Sequence, residues 1–190
     1  SRADQCIDTH FEYGTRTAYW RISDLFEQFG FKYTLSSCGR AVERSPWLAK
    51  HAASQGHEVS AHGWRWQKSI ELSPEEELAA ILKTSETIKA ATGQAPKGWH
   101  TRSTPSPNTR RYLVENGFLY DSDAYNDDTP YLLDIAGHQH VVSDLEALEV
   151  AEPGDQGVAR GLEKMAAVER LERDPREREA EHEEKPHAEF

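Results

Sequence analysis

The sequence predicts an α/β fold with parallel strands, on three observations. Short strand-like and longer helical segments alternate four times, at spacings of roughly 20–40 residues. Most helical segments carry recognisable start or stop chemistry. The patterning ends near residue 142 and a charged stretch follows. Such alternation calls for crossover helices, in a doubly wound sheet or in part of a barrel.

The elements follow in order. Over Thr17–Phe29, Ile22, Leu25, Phe26 and Phe29 fall on one helical face, which the pattern assigns to the core, and Gly30 supplies a left-handed stop. Phe31–Ser37 alternates as a strand. Ser45-Pro46 opens a second helix that runs toward Gln55 and stops at Gly56. His57–Ala61 is a short strand around Val59. Ser73-Pro74-Glu75-Glu76 is a capping box, in which the serine hydroxyl and the Glu76 carboxylate each satisfy an orphan amide. Its helix presents Leu78, Ile81, Leu82 and Ile88 and ends at Gly93. Pro96–His100 is a strand, Asn108–Asn116 a helix stopped by Gly117, and Phe118–Asp121 a strand. Tyr131–Ile135 and His138–Val142 flank Ala136-Gly137 as a hairpin.

Two regions result: a patterned domain over 1–142 and a charged tail over 143–190. Residues 151–190 hold 12 acidic and 7 basic side chains and no apolar stripe, as expected of a disordered segment or a solvated helix. The net charge of −11 argues against a nucleic-acid partner, which needs clustered cations. No apolar run is long enough to span a bilayer, so no membrane partner is expected. Only Cys6 and Cys38 occur, too few for a disulfide scaffold or a cysteine zinc site. No signal-like segment stands out, and a cytoplasmic location is the expectation.

In both candidate architectures chemistry collects beyond the C-terminal ends of the strands. Three successive strand ends carry unusual residues: His62-Gly63-Trp64-Arg65-Trp66, then Trp99-His100-Thr101-Arg102, then Asp121-Ser122-Asp123. Topology alone places them at one rim. His62 is either a hydrogen-bonded structural residue or an acid, base or metal ligand. Trp64 and Trp66 either wall a pocket or pack in the core. Arg102 either grips a carboxylate or developing oxyanion, or pairs with Asp121 or Asp123. Glu12 is a pocket carboxylate or simply the partner of Arg16. His138 and His140 have a spacing that could ligate a metal from a strand, although a polar hairpin favours the plainer reading.

These residues resemble the polysaccharide-deacetylase (NodB-homology) superfamily, and within it the allantoinase-like branch that also includes sequences described as chitin deacetylases. The resemblance rests on Phe11-Glu12-Tyr13-Gly14-Thr15-Arg16 with Trp20-Arg21, on Gly56–Trp66, on Gly98–Arg102 with Ser106–Arg111, and on Tyr120–Tyr125 with Asp127-Asp128 and Pro130-Tyr131. It covers about residues 10–142. It implies a (β/α) barrel, incomplete here, and hydrolysis of non-peptide carbon–nitrogen bonds in an N-acetylated sugar or a small-molecule ureide. By motif position His62, Arg102 and Glu12 would be catalytic, and Trp64, Trp66, Trp99, His100 and Asp121 would bind or orient substrate.

The chain also departs from the family pattern. Sugar deacetylases of the family complete a metal site with a histidine four residues after the first, where this chain has Trp66, so zinc is disfavoured and no cofactor is expected. The upstream acidic motif and the closing histidine lack counterparts, as though the pattern were truncated at both ends. A sheet short of its outer strands exposes edges that a second copy of the chain would cover. Three expectations follow: a fragment, a misassembled coding segment, or a homo-oligomer. A catalytically inactive ureide- or sugar-binding protein is the alternative to an enzyme.

Overall fold

A computed structural model describes residues 6, 9, 12–127 and 129–143. Phe11, Asp128 and the expected tail from residue 144 onward lie outside these; Ser143, expected as the first tail residue, is instead buried, its amide donating to the Asp121 carbonyl. The chain divides into two compact units, one ending at Thr109 and the next beginning at Arg110.

In the first unit a π-helical turn, Gly14–Ala18, leads into α1 (Tyr19–Gln28). Then come β1 (Thr34–Ser37), α2 (Gly39–Arg44), α3 (Pro46–Ser54), β2 (Glu58–Ala61), α4 (Pro74–Thr92) and β3 (Gly98–Trp99). The strands run parallel in the order β1-β2-β3, with Leu35 beside Val59 and Ala61 beside Trp99. Among the described residues β1 pairs only with β2, so this edge closes no barrel. Helix α4 has both bonds of the predicted capping box and ends on Gly93 at φ 85°.

The helices pack through small residues and one polar stripe. Ala49 and Ala52 on α3 are buried, which lets that helix approach β2 closely. The inward stripe of α4 is Glu77, Ile81, Thr84 and Ile88, while Leu82 faces outward. This corrects the apolar stripe read from the sequence. Two polar residues sit inside because each is satisfied: the Thr84 hydroxyl donates to the Ala80 carbonyl, and Glu77 accepts the hydroxyls of Ser106 and Thr109. Helix α2, which the sequence pattern did not single out, starts where Gly39 passes Trp64 and Thr84. A Cβ there would stand 2.7 Å from the Trp64 ring.

Helix α1 also reverses an expectation. Ile22, Leu25 and Phe29 are more than half exposed, whereas Ser23 is buried. Of the predicted face only Phe26 packs inward, its ring edge-on to Phe31 and Tyr33, and a hydrogen-bonded chain completes that side. Ser23 Oγ donates to Glu27 and lies 2.9 Å from the Tyr33 hydroxyl. The Tyr19 hydroxyl lies 3.1 Å from that of Tyr33 and 3.0 Å from His51 Nδ1.

The second unit opens with α5, whose full span is Thr109–Glu115, followed by β4 (Tyr120–Asp121), β5 (Tyr131–Ile135) and β6 (His138–Val142). Strand β6 lies between β4, to which it is parallel, and β5, to which it is antiparallel. The predicted hairpin is present. Ile135 pairs with His138 across a two-residue loop in which Ala136 and Gly137 both have positive φ. Tyr112, Leu113, Phe118, Tyr120, Val141 and Val142 form the core of this unit.

Candidate functional site

The site in the first unit is built at the C-terminal ends of three parallel strands. Beyond β1, the amides of Gly39 and Arg40 donate to the carbonyls of Gly63 and Trp64. Beyond β2, the His62 amide donates to the Ser37 carbonyl and Gly63 turns the chain at φ 75°. Beyond β3, the His100 amide donates to the Ala61 carbonyl. The loops after β1 and β2 are thereby zipped together, and the start of the loop after β3 is tied to β2.

His62 Nδ1 lies 2.7 Å from the His100 carbonyl oxygen, and the two imidazoles stack at 4.9 Å with planes 9° apart. A carbonyl only accepts, so Nδ1 carries a proton and Nε2 is the basic nitrogen of the neutral ring. Cys38 Sγ donates to the His62 carbonyl, and burial raises the pKa of that thiol.

The tryptophans have three different environments. Trp99 is buried, and its indole N–H donates to the Thr101 hydroxyl. Trp64 packs between Gly39 and Lys83, whose ammonium stands 3.9 Å over the ring. Trp66 is 64% exposed. Arg102 lies over it, with Cζ 4.1 Å from the ring centroid and Nη1 donating to the Trp66 carbonyl. A cation–π contact of this exposed kind contributes about 0.5–1 kcal/mol. That is enough to bias one guanidinium pose and too little to matter to the fold.

Glu12 is exposed and pairs with Arg16, the plainer of its two expected roles. Asp121, expected among the substrate contacts, is fully buried in the second unit. Its ion-pair partner is Arg110 rather than Arg102: Arg110 donates Nε–H to Oδ2 and Nη2–H to Oδ1, and His140 Nε2 stands 3.0 Å from Oδ2. Burial alone would raise the Asp121 pKa, but His140 and Arg110 together hold it below the ordinary value. The ionised carboxylate can only accept, so His140 Nε2 donates. His140 is thus committed inside the core, while His138 is exposed at the hairpin end.

Sequence reasoning missed the Glu77–Ser106–Thr109 cluster. The Thr109 hydroxyl accepts from the Ser106 amide, the Ser106 hydroxyl accepts from the Asn108 amide, and both hydroxyls donate to Glu77. The Ser-Pro-Asn-Thr string signals a helix start, but nothing in it indicates a carboxylate on another helix.

The comparisons with known proteins agree with this architecture. The polysaccharide deacetylase family model matches residues 1–118. A Schizosaccharomyces pombe protein named "Putative polysaccharide deacetylase" is 35% identical over 67% of this chain and 42% of its own length. The peptidoglycan deacetylase of Helicobacter pylori is 32% identical over 77% of this chain and 51% of its own. Among solved structures, Puue allantoinase superposes with a TM-score of 0.70 at 28% identity, covering 88% of this chain and 59% of that one. The fold is therefore α/β of the deacetylase barrel type. The chain belongs to the polysaccharide deacetylase family, and it spans about half the length of the curated relatives it matches.

The family's metal can be tested against the residues present. His62 supplies one imidazole, but Trp66 stands where a second would, and an indole N–H only donates. Among the described residues no three His, Cys, Asp or Glu side chains form a group suited to a metal ion. Among the described residues the donor set does not fit the metal.

Proposed function

We propose that this chain carries a site for hydrolysis of a non-peptide carbon–nitrogen bond, with His62 as general base and Arg102 as the charge-stabilising group. The observation that carries the reading is the hydrogen bond from His62 Nδ1 to the His100 carbonyl. It orients the ring and makes Nε2 the proton acceptor at the end of a parallel strand, where this architecture gathers reactive groups. Water attacking an amide carbon gives up a proton as the carbonyl oxygen becomes negative. An imidazole can take the first and a guanidinium can stabilise the second. Trp64, Trp99 and His100 shape the surroundings. The substrate is a small ureide or an N-acetylated sugar, the two classes that the allantoinase and deacetylase relatives suggest.

The test is turnover of allantoin, of N-carbamoylglycine and of N-acetylated chito-oligosaccharides by the purified chain, with His62→Ala as the control. Hydrolysis of one of them, lost in the variant to below roughly a hundredth of the parent rate, is expected. Unchanged hydrolysis in the variant removes His62 from the mechanism. A second reading, a non-catalytic binding protein, draws on Glu12: that carboxylate is held by Arg16 at the surface. Saturable binding without product would favour it.

A further inference from the structure

We propose that Trp66 and Arg102 form a preorganised receptor for a substrate carboxylate, which makes acidic ureides, rather than uncharged acetamido sugars, the substrate class of this site. The proposal rests on the hydrolytic reading for its place in a reaction and revises one role in it: the free edge of Arg102 holds the substrate carboxylate instead of the developing oxyanion. The receptor itself stands on separate observations.

The first is charge. The chain has 33 acidic residues against 22 basic ones, yet Arg102 has no carboxylate partner among the described residues. Its single hydrogen bond there is the one to the Trp66 carbonyl. An arginine in an acidic chain that is held by a neutral acceptor and an indole face keeps its full charge for a ligand.

The second is backbone geometry. Ser103, immediately after Arg102, has φ 63°, and the Thr104 amide closes a three-residue turn onto the Arg102 carbonyl at 2.9 Å. A positive φ at the centre of such a turn is the rarer, strained form for a residue with a Cβ. Trp66 also centres a three-residue turn, closed by the Gln67 amide on the Arg65 carbonyl at 2.8 Å. Both halves of the pair are therefore fixed at the backbone as well as through their side chains. Along the chain Arg102 follows His100 by two residues and Trp66 follows His62 by four.

The third is the shape of what remains. Nη1 is used by Trp66, which leaves the Nε–H and Nη2–H edge intact. That edge is the fork that grips a carboxylate with two parallel bonds, as Arg110 grips Asp121 in this same chain. A single guanidinium suits a monoanion. With Trp66 64% exposed, the pair is open to solvent and to a ligand.

Calorimetry and tryptophan fluorescence on the full chain test this with an isosteric pair: N-carbamoylglycine, which has a carboxylate, and its uncharged amide. The expected result is saturable binding of the acid, with the amide weaker by roughly tenfold or more, as loss of a charged hydrogen-bond pair implies. Arg102→Lys should abolish that preference. Trp66→Phe should keep it and Trp66→Ala should reduce it, because Trp66 is a positioning residue and a purely structural role would change stability without changing the acid-to-amide ratio. Equal affinity for acid and amide, no binding of either, equally tight binding of inorganic phosphate, or a preference that survives Arg102→Lys would overturn the receptor. A preference that survives Trp66→Ala would remove Trp66 from it. Acid preference without turnover of any amide would refute the hydrolytic reading while leaving the receptor standing.

Discussion

His57 shows how one side chain can set the conditions under which this fold holds. It lies just before β2, its ring is stacked on Tyr33 with centroids 3.8 Å apart, and neither ring nitrogen has a hydrogen bond among the described residues. Glu27 Oε1 stands 3.8 Å from Nε2. Burial pushes the His57 pKa below its ordinary value of 6.5, and Lys32 and His51 act in the same direction against Glu27. The unfolded chain then binds a proton more readily than the folded one. Stability is fully present above the ordinary histidine range and is lost as pH falls through it toward the folded value. Urea midpoints taken between about pH 8 and about pH 5.5 should fall with acid, and His57→Phe should flatten that fall by keeping the stacking partner without the titration. A slope unchanged by the substitution would assign the acid sensitivity elsewhere. Asp121 has the same sign at lower pH, since its depressed pKa makes its contribution one that is present above 3.8 and lost in stronger acid.

At the scale of elements, the β5–β6 hairpin carries a residue that works against its own turn. Ala136 has φ 53° and Gly137 φ 82°, the double positive that two-residue hairpins favour for its match to strand twist. Glycine takes that conformation freely, whereas alanine pays a steric penalty of about 1–2 kcal/mol. Ala136→Asn or Ala136→Gly should therefore raise stability by about 1 kcal/mol, read as a higher melting temperature of the full chain. A loss would mean that the turn is not of this form. Much at this scale was legible in the sequence. The capping box at Ser73, the stops at Gly93 and Gly117, and the Ala136-Gly137 turn all encode local backbone conformations that a few residues specify. Helix α2 was not legible: its six residues form no repeating apolar face, and Cys38 gives no side-chain cap. The inward faces of α1 and α4 were read only in part, for a related reason: Phe26, Ile81 and Ile88 do pack inward, but the polar residues beside them were missed. Ser23, Glu77 and Thr84 are buried because partners distant in sequence satisfy them, and no local pattern reports those partners.

For the molecule as a whole, the family follows from a match over residues 1–118 and from relatives of which this chain spans about half. What the described residues themselves bring together is narrower. The loops after β1, β2 and β3 join His62, His100, Arg102 and Trp66 within one unit. Asp121, which the sequence grouped with them, is committed to Arg110 and His140 in the other. Strand alternation was enough to indicate that the loops after β1, β2 and β3 meet, because parallel topology sends strand ends to one side. It was not enough to separate a site residue from a buried ion pair. That separation depends on whether an arginine one helix away reaches the carboxylate, as Arg110 does.

The most direct test of the hydrolytic account is the tautomer of His62, read from the imidazole nitrogens by long-range nitrogen–proton NMR correlation on labelled chain, assigned with a His62→Ala spectrum. The account predicts a neutral ring protonated at Nδ1 at about pH 8, with Nε2 as the lone-pair nitrogen. A ring protonated at Nε2 under those conditions would mean that the His100 carbonyl does not hold it, and the proposed base would be lost.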